Sequence, residues 1–226
     1  MTNPAARKVL YFDFDETLAA VQLTPYSPLP TSQSAEPDVS VSGPGVVNRA
    51  VLERTVSGSE RGAEKVSAFA LPEFRAIFQR ISAINHRAQE KAVYVRVLTN
   101  ASYTQDAVLP ILKSWYGDGF QLDGFENRFR LGVEDIRERP KPKFLSMLMD
   151  FKRTYRDQGV TEDNVYLIDD AEENCRGAEI AGFKAIRMET NPRTRVPGAS
   201  YTAAKPEIFG RLNGILDEVE AALDAS

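Results

Sequence analysis

Three short apolar runs end abruptly in polar or acidic residues, and this feature constrains the fold more than any other. The runs are KVLYFDF (8–14), VYVRVLTN (93–100) and NVYLIDD (164–170), with KAIRM (184–188) as a weaker fourth. Nearly continuous apolarity, rich in β-branched and aromatic residues, is typical of strands that are buried on both faces. The sequence therefore predicts strands that end at Asp13, Thr99 and Asp169.

Helical patterns lie between and after these runs. Apolar residues recur at spacings of three and four over residues 71–88, 143–155 and 207–223. Strands that alternate with helices indicate a parallel sheet. We therefore predict an α/β fold over residues 1–226, a single domain with a doubly wound, Rossmann-like parallel sheet and helices on both faces.

Residues 24–64 do not follow this alternation. They contain five Pro, seven Ser and four Gly among 41 residues and show no sustained periodicity. This composition is typical of a long, mobile insertion rather than a folded cap, so no large cap domain is predicted. Two alternatives stay open: a disordered loop without function, or a flap that orders over a substrate.

Composition excludes several classes of function. The net charge of -4 argues against nucleic-acid binding. The apolar run from Val9 to Phe12 is too short for a signal peptide, and no run approaches a membrane span, so we expect a cytoplasmic protein without membrane contact. A monomer is also expected. Delivery by a specialised secretion system stays open as an alternative. With one cysteine, Cys175, and one histidine, His86, a metal would have to be held by oxygen atoms.

The predicted strand ends bring acidic residues together. Because the carboxyl ends of parallel strands meet at one edge of a sheet, the polar residues there are expected to converge. These residues are Asp13, Asp15, Asp169 and Asp170, with Thr99 and Asn100 beside them. Carboxylates about 4 Å apart repel by several kcal/mol unless a cation lies among them. Mg²⁺ prefers oxygen ligands and commonly binds a substrate phosphate as well, so the sequence predicts Mg²⁺ and a phosphorylated substrate.

The spacing of Asp13 and Asp15 favours covalent catalysis in two steps. At the end of a strand the chain can bend, so that one carboxylate faces phosphorus and the other faces the departing oxygen. The first carboxylate would attack and form an aspartyl phosphate. The second carboxyl group would protonate the leaving oxygen and later remove a proton from the hydrolytic water.

Four motifs occur along the chain in a set order. They are FDFDETL (12–18), VLTN (97–100), RPKPKF (139–144) and YLIDDAEENCRGAEIAGFKAI (166–186). Together they resemble the motifs of the haloacid dehalogenase superfamily of magnesium-dependent phosphohydrolases, and the first and last are the specific ones. The resemblance covers roughly residues 7–23 and 70–190 and does not extend to residues 24–64.

The resemblance implies a role for each matching acid. Asp13 corresponds to the nucleophile, and Asp15 to the general acid and base, whose backbone carbonyl also binds magnesium. Asp170 corresponds to the metal-binding acid of the fourth motif, and Asp169 to its companion, either as a direct ligand or behind one. Thr17 would orient the loop that carries the acid.

The resemblance also implies residues that bind the phosphoryl group. Thr99 and the adjacent Asn100 would hold the phosphoryl oxygens. Lys141 best fits the family's lysine, which neutralises the nucleophile and the phosphate, and Lys143 is the alternative. Asn174 either caps the helix after Asp170 or braces the acidic loop.

The expected activity is that of a phosphatase. The Asp-Glu-Thr-Leu end of the first motif is similar to that of aspartate-based protein phosphatases acting on phosphoserine in polymerase tails, whereas DD-x-x-x-N departs from their fourth motif. The absence of a predicted cap favours bulky substrates such as phosphorylated protein side chains. Because some capless relatives hydrolyse phosphotyrosine, the resemblance favours phosphotyrosine ahead of phosphoserine. A small-metabolite phosphatase and a phosphomutase or phosphotransferase are the alternatives, followed by a non-catalytic binding module. Asp15 argues against a dehalogenase, because dehalogenation needs no second acid.

Overall fold

A computed structural model describes residues 7–23, 47–48, 64–101, 103–127, 142–189 and 205–225. The strands are β1 (Lys8–Asp13), β2 (Ala19–Leu23), β3 (Val47–Asn48), β4 (Glu64–Ala68), β5 (Val93–Leu98), β6 (Gly124–Glu126), β7 (Val165–Asp169) and β8 (Lys184–Arg187). The helices are α1 (Leu71–Arg87), α2 (Gln105–Tyr116), α3 (Lys143–Thr154), α4 (Glu172–Ile180) and α5 (Pro206–Asp224).

A parallel sheet of five strands forms the centre of the fold, in the order β6-β5-β1-β7-β8. β1 pairs with β5, where Asp13 lies opposite Leu98, and with β7, where Phe12 lies opposite Ile168. This register places the carboxyl ends of β1, β5 and β7 side by side. The predicted convergence of the three strand ends therefore has its structural basis in these two pairings.

Helices cover both faces of this sheet. Successive residues of β1 point to opposite faces, as in any strand. Leu10 and Phe12 belong to the apolar core shared with α1, α2 and α5, whereas Val9 and Tyr11 belong to the core shared with α3 and α4. The predicted doubly wound α/β fold is thus confirmed.

A second, antiparallel sheet in the order β2-β4-β3 follows the first motif. In it Ala19 pairs with Ala68, and Leu23 pairs with Glu64. Of the predicted insertion 24–64, residues 47–48 and 64 therefore belong to strands. Residues 24–46 and 49–63 lie outside the described residues, so the mobility of the insertion stays a prediction.

Neither interval between the motifs holds a cap domain among its described residues, which form strands of the two sheets and helices α1 and α2. None of the described helices is long and apolar enough to cross a bilayer.

Candidate active site

Asp13 is the last residue of β1, and a tight turn follows it. The backbone carbonyl of Phe14 accepts hydrogen bonds from the amides of Leu18 (3.1 Å) and Ala19 (2.8 Å). Glu16 adopts the left-handed conformation, with φ at 61°, and its amide donates to the carbonyl of Ala19 at 2.6 Å. The chain therefore turns sharply beyond the sheet edge, between the predicted nucleophile and β2.

Lys143 lies between two buried carboxylates. Its Nζ is 2.6 Å from Asp13 Oδ1 and 2.9 Å from Asp169 Oδ2, and all three side chains are buried. Burial disfavours the ammonium, but Asp13 and Asp169 outweigh it and raise the pKa of Lys143 above its ordinary value. The lysine is therefore held as a cation beside the predicted nucleophile.

Three carboxylates gather at this point. Asp13, Asp169 and Asp170 each place a carboxylate oxygen within 4.8 Å of the others. Burial raises the pKa of Asp13 well above its usual range; Lys143 opposes this shift, and Asp169 and Asp170 add to it. Burial, followed by the charge of Asp169, raises the pKa of Asp170 to about 6. One lysine does not balance three carboxylates, and an all-oxygen donor set of this kind fits a hard divalent cation such as Mg²⁺.

Asp169 is bonded on both of its carboxylate oxygens. Oδ1 accepts hydrogen bonds from the Ala171 amide at 2.9 Å and from Asn174 Nδ2 at 3.0 Å, while Oδ2 faces Lys143. Asn174 thus contacts the acidic loop directly, as one of its two predicted roles requires. Because both of its carboxylate oxygens already have partners, Asp169 is suited to hold Lys143 and the acidic loop in position.

Thr99 and Asn100 follow β5 at the same edge of the sheet. The buried Thr99 donates its amide to the Glu126 carbonyl at 2.9 Å, and its hydroxyl oxygen accepts from the Ala101 amide at 3.1 Å. The hydroxyl proton can therefore still be donated to a ligand. Asn100 Oδ1 is buried without a hydrogen-bond partner in the described part of the chain.

Asp15 is not among the three clustered carboxylates, and its side chain bonds elsewhere. Asp15 Oδ1 accepts a hydrogen bond of 2.8 Å from the hydroxyl of Tyr103. Tyr103 could not be predicted from the sequence, because a single tyrosine in the loop after β5 belongs to no motif. The predicted magnesium contact of the Asp15 backbone carbonyl stays a prediction.

Of two other predicted residues, Thr17 lies within the described part of the chain and Lys141 lies outside it. Thr17 is fully buried beneath the turn, and among the described residues no group bonds to its hydroxyl. An orienting role for Thr17 would therefore have to come from packing. Lys141, the preferred lysine of the sequence analysis, lies outside the described residues, so its assignment stays a prediction, whereas the alternative, Lys143, lies in the site.

Known structures are similar to this chain at low sequence identity. An uncharacterized protein from Listeria monocytogenes serotype 4b has a TM-score of 0.50 and 14% identity, over 94% of this chain and 99% of the other. A HAD-superfamily hydrolase of subfamily IA from Geobacter sulfurreducens has a TM-score of 0.48 and 15% identity, over 93% and 99%. A HAD family enzyme from Bacteroides thetaiotaomicron, solved with magnesium and inorganic phosphate, has a TM-score of 0.37 and 12% identity, over 81% and 94%.

No protein-family model matches the chain, and the comparison with curated proteins finds no match. The similarity to the Listeria monocytogenes protein, with a TM-score of 0.50, supports the fold alone.

Proposed function

We propose that this protein is a magnesium-dependent phosphomonoester hydrolase of the haloacid dehalogenase superfamily, acting through an aspartyl phosphate. One observation carries the proposal: the buried Lys143 ammonium bridges Asp13 and Asp169 where Asp13 also meets Asp170. A carboxylate flanked by a fixed cation and a cluster of oxygen ligands is suited to attack a phosphoryl group, because the negative charge of both reactants is then balanced.

The side chains supply both chemical steps. The carboxylate of Asp13 attacks phosphorus as the bond to the leaving oxygen breaks, and Asp15 gives its proton to that oxygen. Asp15 then takes a proton from water, which attacks the same phosphorus and breaks the bond to Asp13, releasing inorganic phosphate. Thr99 and Asn100 bind the phosphoryl oxygens, and Lys143 offsets their charge throughout.

Asp13 and Asp170, with the backbone carbonyl of Asp15, would hold the cation. When bound, Mg²⁺ supplies positive charge that screens the phosphate from the carboxylates and stabilises the charge of the transition state. Asp169 keeps its contacts with Lys143 and Asn174 and so fixes the lysine and the acidic loop. In this proposal Lys143, rather than Lys141, is the lysine of the third motif.

We further propose that phosphorylated protein side chains are substrates, phosphotyrosine ahead of phosphoserine. The support is that the described residues between Asn100 and Pro142 form only α2, β6 and their connections, which leaves that side of the site without a cap among the described residues. A bulky ester can approach a site of this kind, whereas small metabolites are usually enclosed by a lid.

The proposal is tested by a substrate panel with and without Mg²⁺. Phosphotyrosine and phosphoserine peptides, sugar phosphates and nucleotides are compared, and the chelated enzyme is expected to regain activity when Mg²⁺ is restored. Asp13→Asn should lose activity on the order of 10⁴-fold or more, as nucleophile variants do. Asp118→Asn, a change at an exposed aspartate beyond α2, is the control and should retain wild-type rates.

Two outcomes would contradict different parts of the proposal. Wild-type turnover by Asp13→Asn would exclude Asp13 as nucleophile and with it the aspartyl phosphate. A preference of several orders of magnitude for a small metabolite would exclude protein side chains as the substrate class and leave the hydrolase itself in place.

A further inference from the structure

Tyr103 is a fully buried tyrosine whose hydroxyl reaches the predicted acid, Asp15. The O–H donates to Asp15 Oδ1 at 2.8 Å. The Tyr103 ring lies edge-on to Phe14 at 5.4 Å between centroids, and Phe14 stacks on Trp115 at 6.1 Å. Asn127 Nδ2 donates to the Tyr103 carbonyl at 2.6 Å, so the residue is fixed at its backbone, its ring and its hydroxyl.

Asp15 lies in the turn beyond the sheet, where the position of its carboxyl group depends on contacts of its side chain. A carboxyl group rotates about its side-chain torsions unless a neighbour fixes it, and the sp²-bonded group has a broad torsional preference. A displacement of about 1 Å at a reacting group can cost on the order of 10² in rate. The Tyr103 hydroxyl restricts this rotation, and it belongs to a ring that packs among other aromatic rings.

We infer that Tyr103 is a positioning residue that holds the Asp15 carboxyl through Oδ1 in the place from which Asp15 protonates the leaving group. This inference rests on the proposed function. In the first step the leaving oxygen takes a proton from Asp15 as its bond to phosphorus breaks. Tyr103 itself exchanges no proton with the substrate; it decides where the acidic oxygen of Asp15 lies.

The inference predicts a dependence on the leaving group. A nitrophenolate departs readily without a proton, whereas an alkoxide does not, so misplacing the acid should harm alkyl esters far more than activated aryl esters. Tyr103→Phe keeps the ring and removes only the hydroxyl. Its kcat/KM should fall about 10²-fold for an alkyl phosphate and less than about threefold for p-nitrophenyl phosphate.

Tyr116→Phe is the matched control. Tyr116 is also a fully buried tyrosine, and its hydroxyl donates to the backbone carbonyl of Leu18 at 3.2 Å, on the same turn but not to a carboxyl group. Loss of the Tyr116 hydroxyl should change the rates for alkyl and aryl esters by the same factor. Adding Tyr103→Phe to Asp15→Asn should not make the rate depend more strongly on the leaving group than in Asp15→Asn alone. The carboxyl group that Tyr103 positions is already absent from that variant.

Asn127→Ala is a second variant that reaches Tyr103 by another route. It removes the amide that bonds to the Tyr103 carbonyl and leaves the ring and hydroxyl in place. Its rates for alkyl esters should again fall more than its rates for aryl esters, by a smaller factor than in Tyr103→Phe. The result therefore does not depend on the folding of Tyr103→Phe alone.

The outcomes separate the inference from the proposed function. If the wild type hydrolyses none of the esters, the proposed function is wrong and the inference is wrong with it. If the wild type is active and Tyr103→Phe lowers all rates by one common factor, as Tyr116→Phe is expected to do, Tyr103 is a structural residue and the inference alone is overturned.

Discussion

At the residue scale, Lys143 is the side chain on which the site's charge balance depends. Replacing it by Met removes the cation between Asp13 and Asp169 and leaves two buried carboxylates unpaired. Lys143→Met should lower kcat by about 10²–10³-fold, the cost of removing one preorganised donor. Lys152→Met, at an exposed lysine of the same helix, should leave kcat unchanged. If Lys141 is instead the lysine of the site, Lys141→Met should be the damaging variant. Steady-state rates of the three variants therefore decide between the two lysines.

The residues of the site differ in how far the sequence alone could locate them. Asp13, Asp169 and Asp170 terminate continuous apolar runs, and the parallel sheet then brings them together. The lysine is harder, because Lys141 and Lys143 both neighbour Pro142, and only the position where α3 begins decides which one enters the site. Contacts of Tyr103 depend on how two loops pack, which leaves no periodic signal in the sequence.

At the element scale, the pairing of β6 with β5 places Gly124, which has no side chain, against the guanidinium of Arg96. A Cβ at Gly124 would overlap the guanidinium of Arg96, which lies opposite it in the register. That guanidinium cannot move freely, since it donates to Asp150 at 2.9 Å and to the Tyr155 hydroxyl at 3.1 Å. Gly124→Ala must therefore disturb a buried ion pair or move β6.

We expect Gly124→Ala to lower the free energy of unfolding by about 1–3 kcal/mol, the usual cost of overpacking a buried position. The measurement is urea-induced unfolding monitored by circular dichroism. Gly210→Ala in α5 is the control: a Cβ there meets nothing within 4 Å, and alanine is favoured over glycine in a helix by about 1 kcal/mol. Equal stability of the two variants would show that Arg96 yields to the added methyl group.

Some strands could be predicted from local sequence patterns, and others could not. β1, β5, β7 and β8 are buried central strands or their neighbours, so their apolar runs are visible in the sequence. By contrast, β6 has three residues, and β2 and β4 pair across about forty intervening residues. No window of ordinary length contains both partners of that pair, and the antiparallel sheet was therefore not predicted.

At the scale of the whole molecule, the cost of gathering carboxylates links stability to pH and to metal. Asp170 has a pKa of about 6 in the folded protein, above the ordinary value for aspartate. Its proton is thus bound more tightly in the folded state, and the resulting stabilisation is present at low pH and lost as pH rises through about 6. Divalent cations need the deprotonated carboxylates, so their affinity should rise over the same window.

Mg²⁺ should therefore stabilise the fold much more at about pH 7.5 than at about pH 5. With Mg²⁺ at about 100 times its Kd, the expected gain near pH 7.5 is about 2.7 kcal/mol, and protonation should remove most of it near pH 5. Thermal unfolding with Mg²⁺ and with a chelator, at both pH values, measures the difference. Asp170→Asn should abolish the shift caused by Mg²⁺, whereas the exposed-site variant Asp118→Asn should retain it. A shift of the same size at both pH values, or in Asp170→Asn, would mean that Mg²⁺ binds away from the clustered carboxylates, because Asp170, whose pKa is about 6, belongs to that cluster.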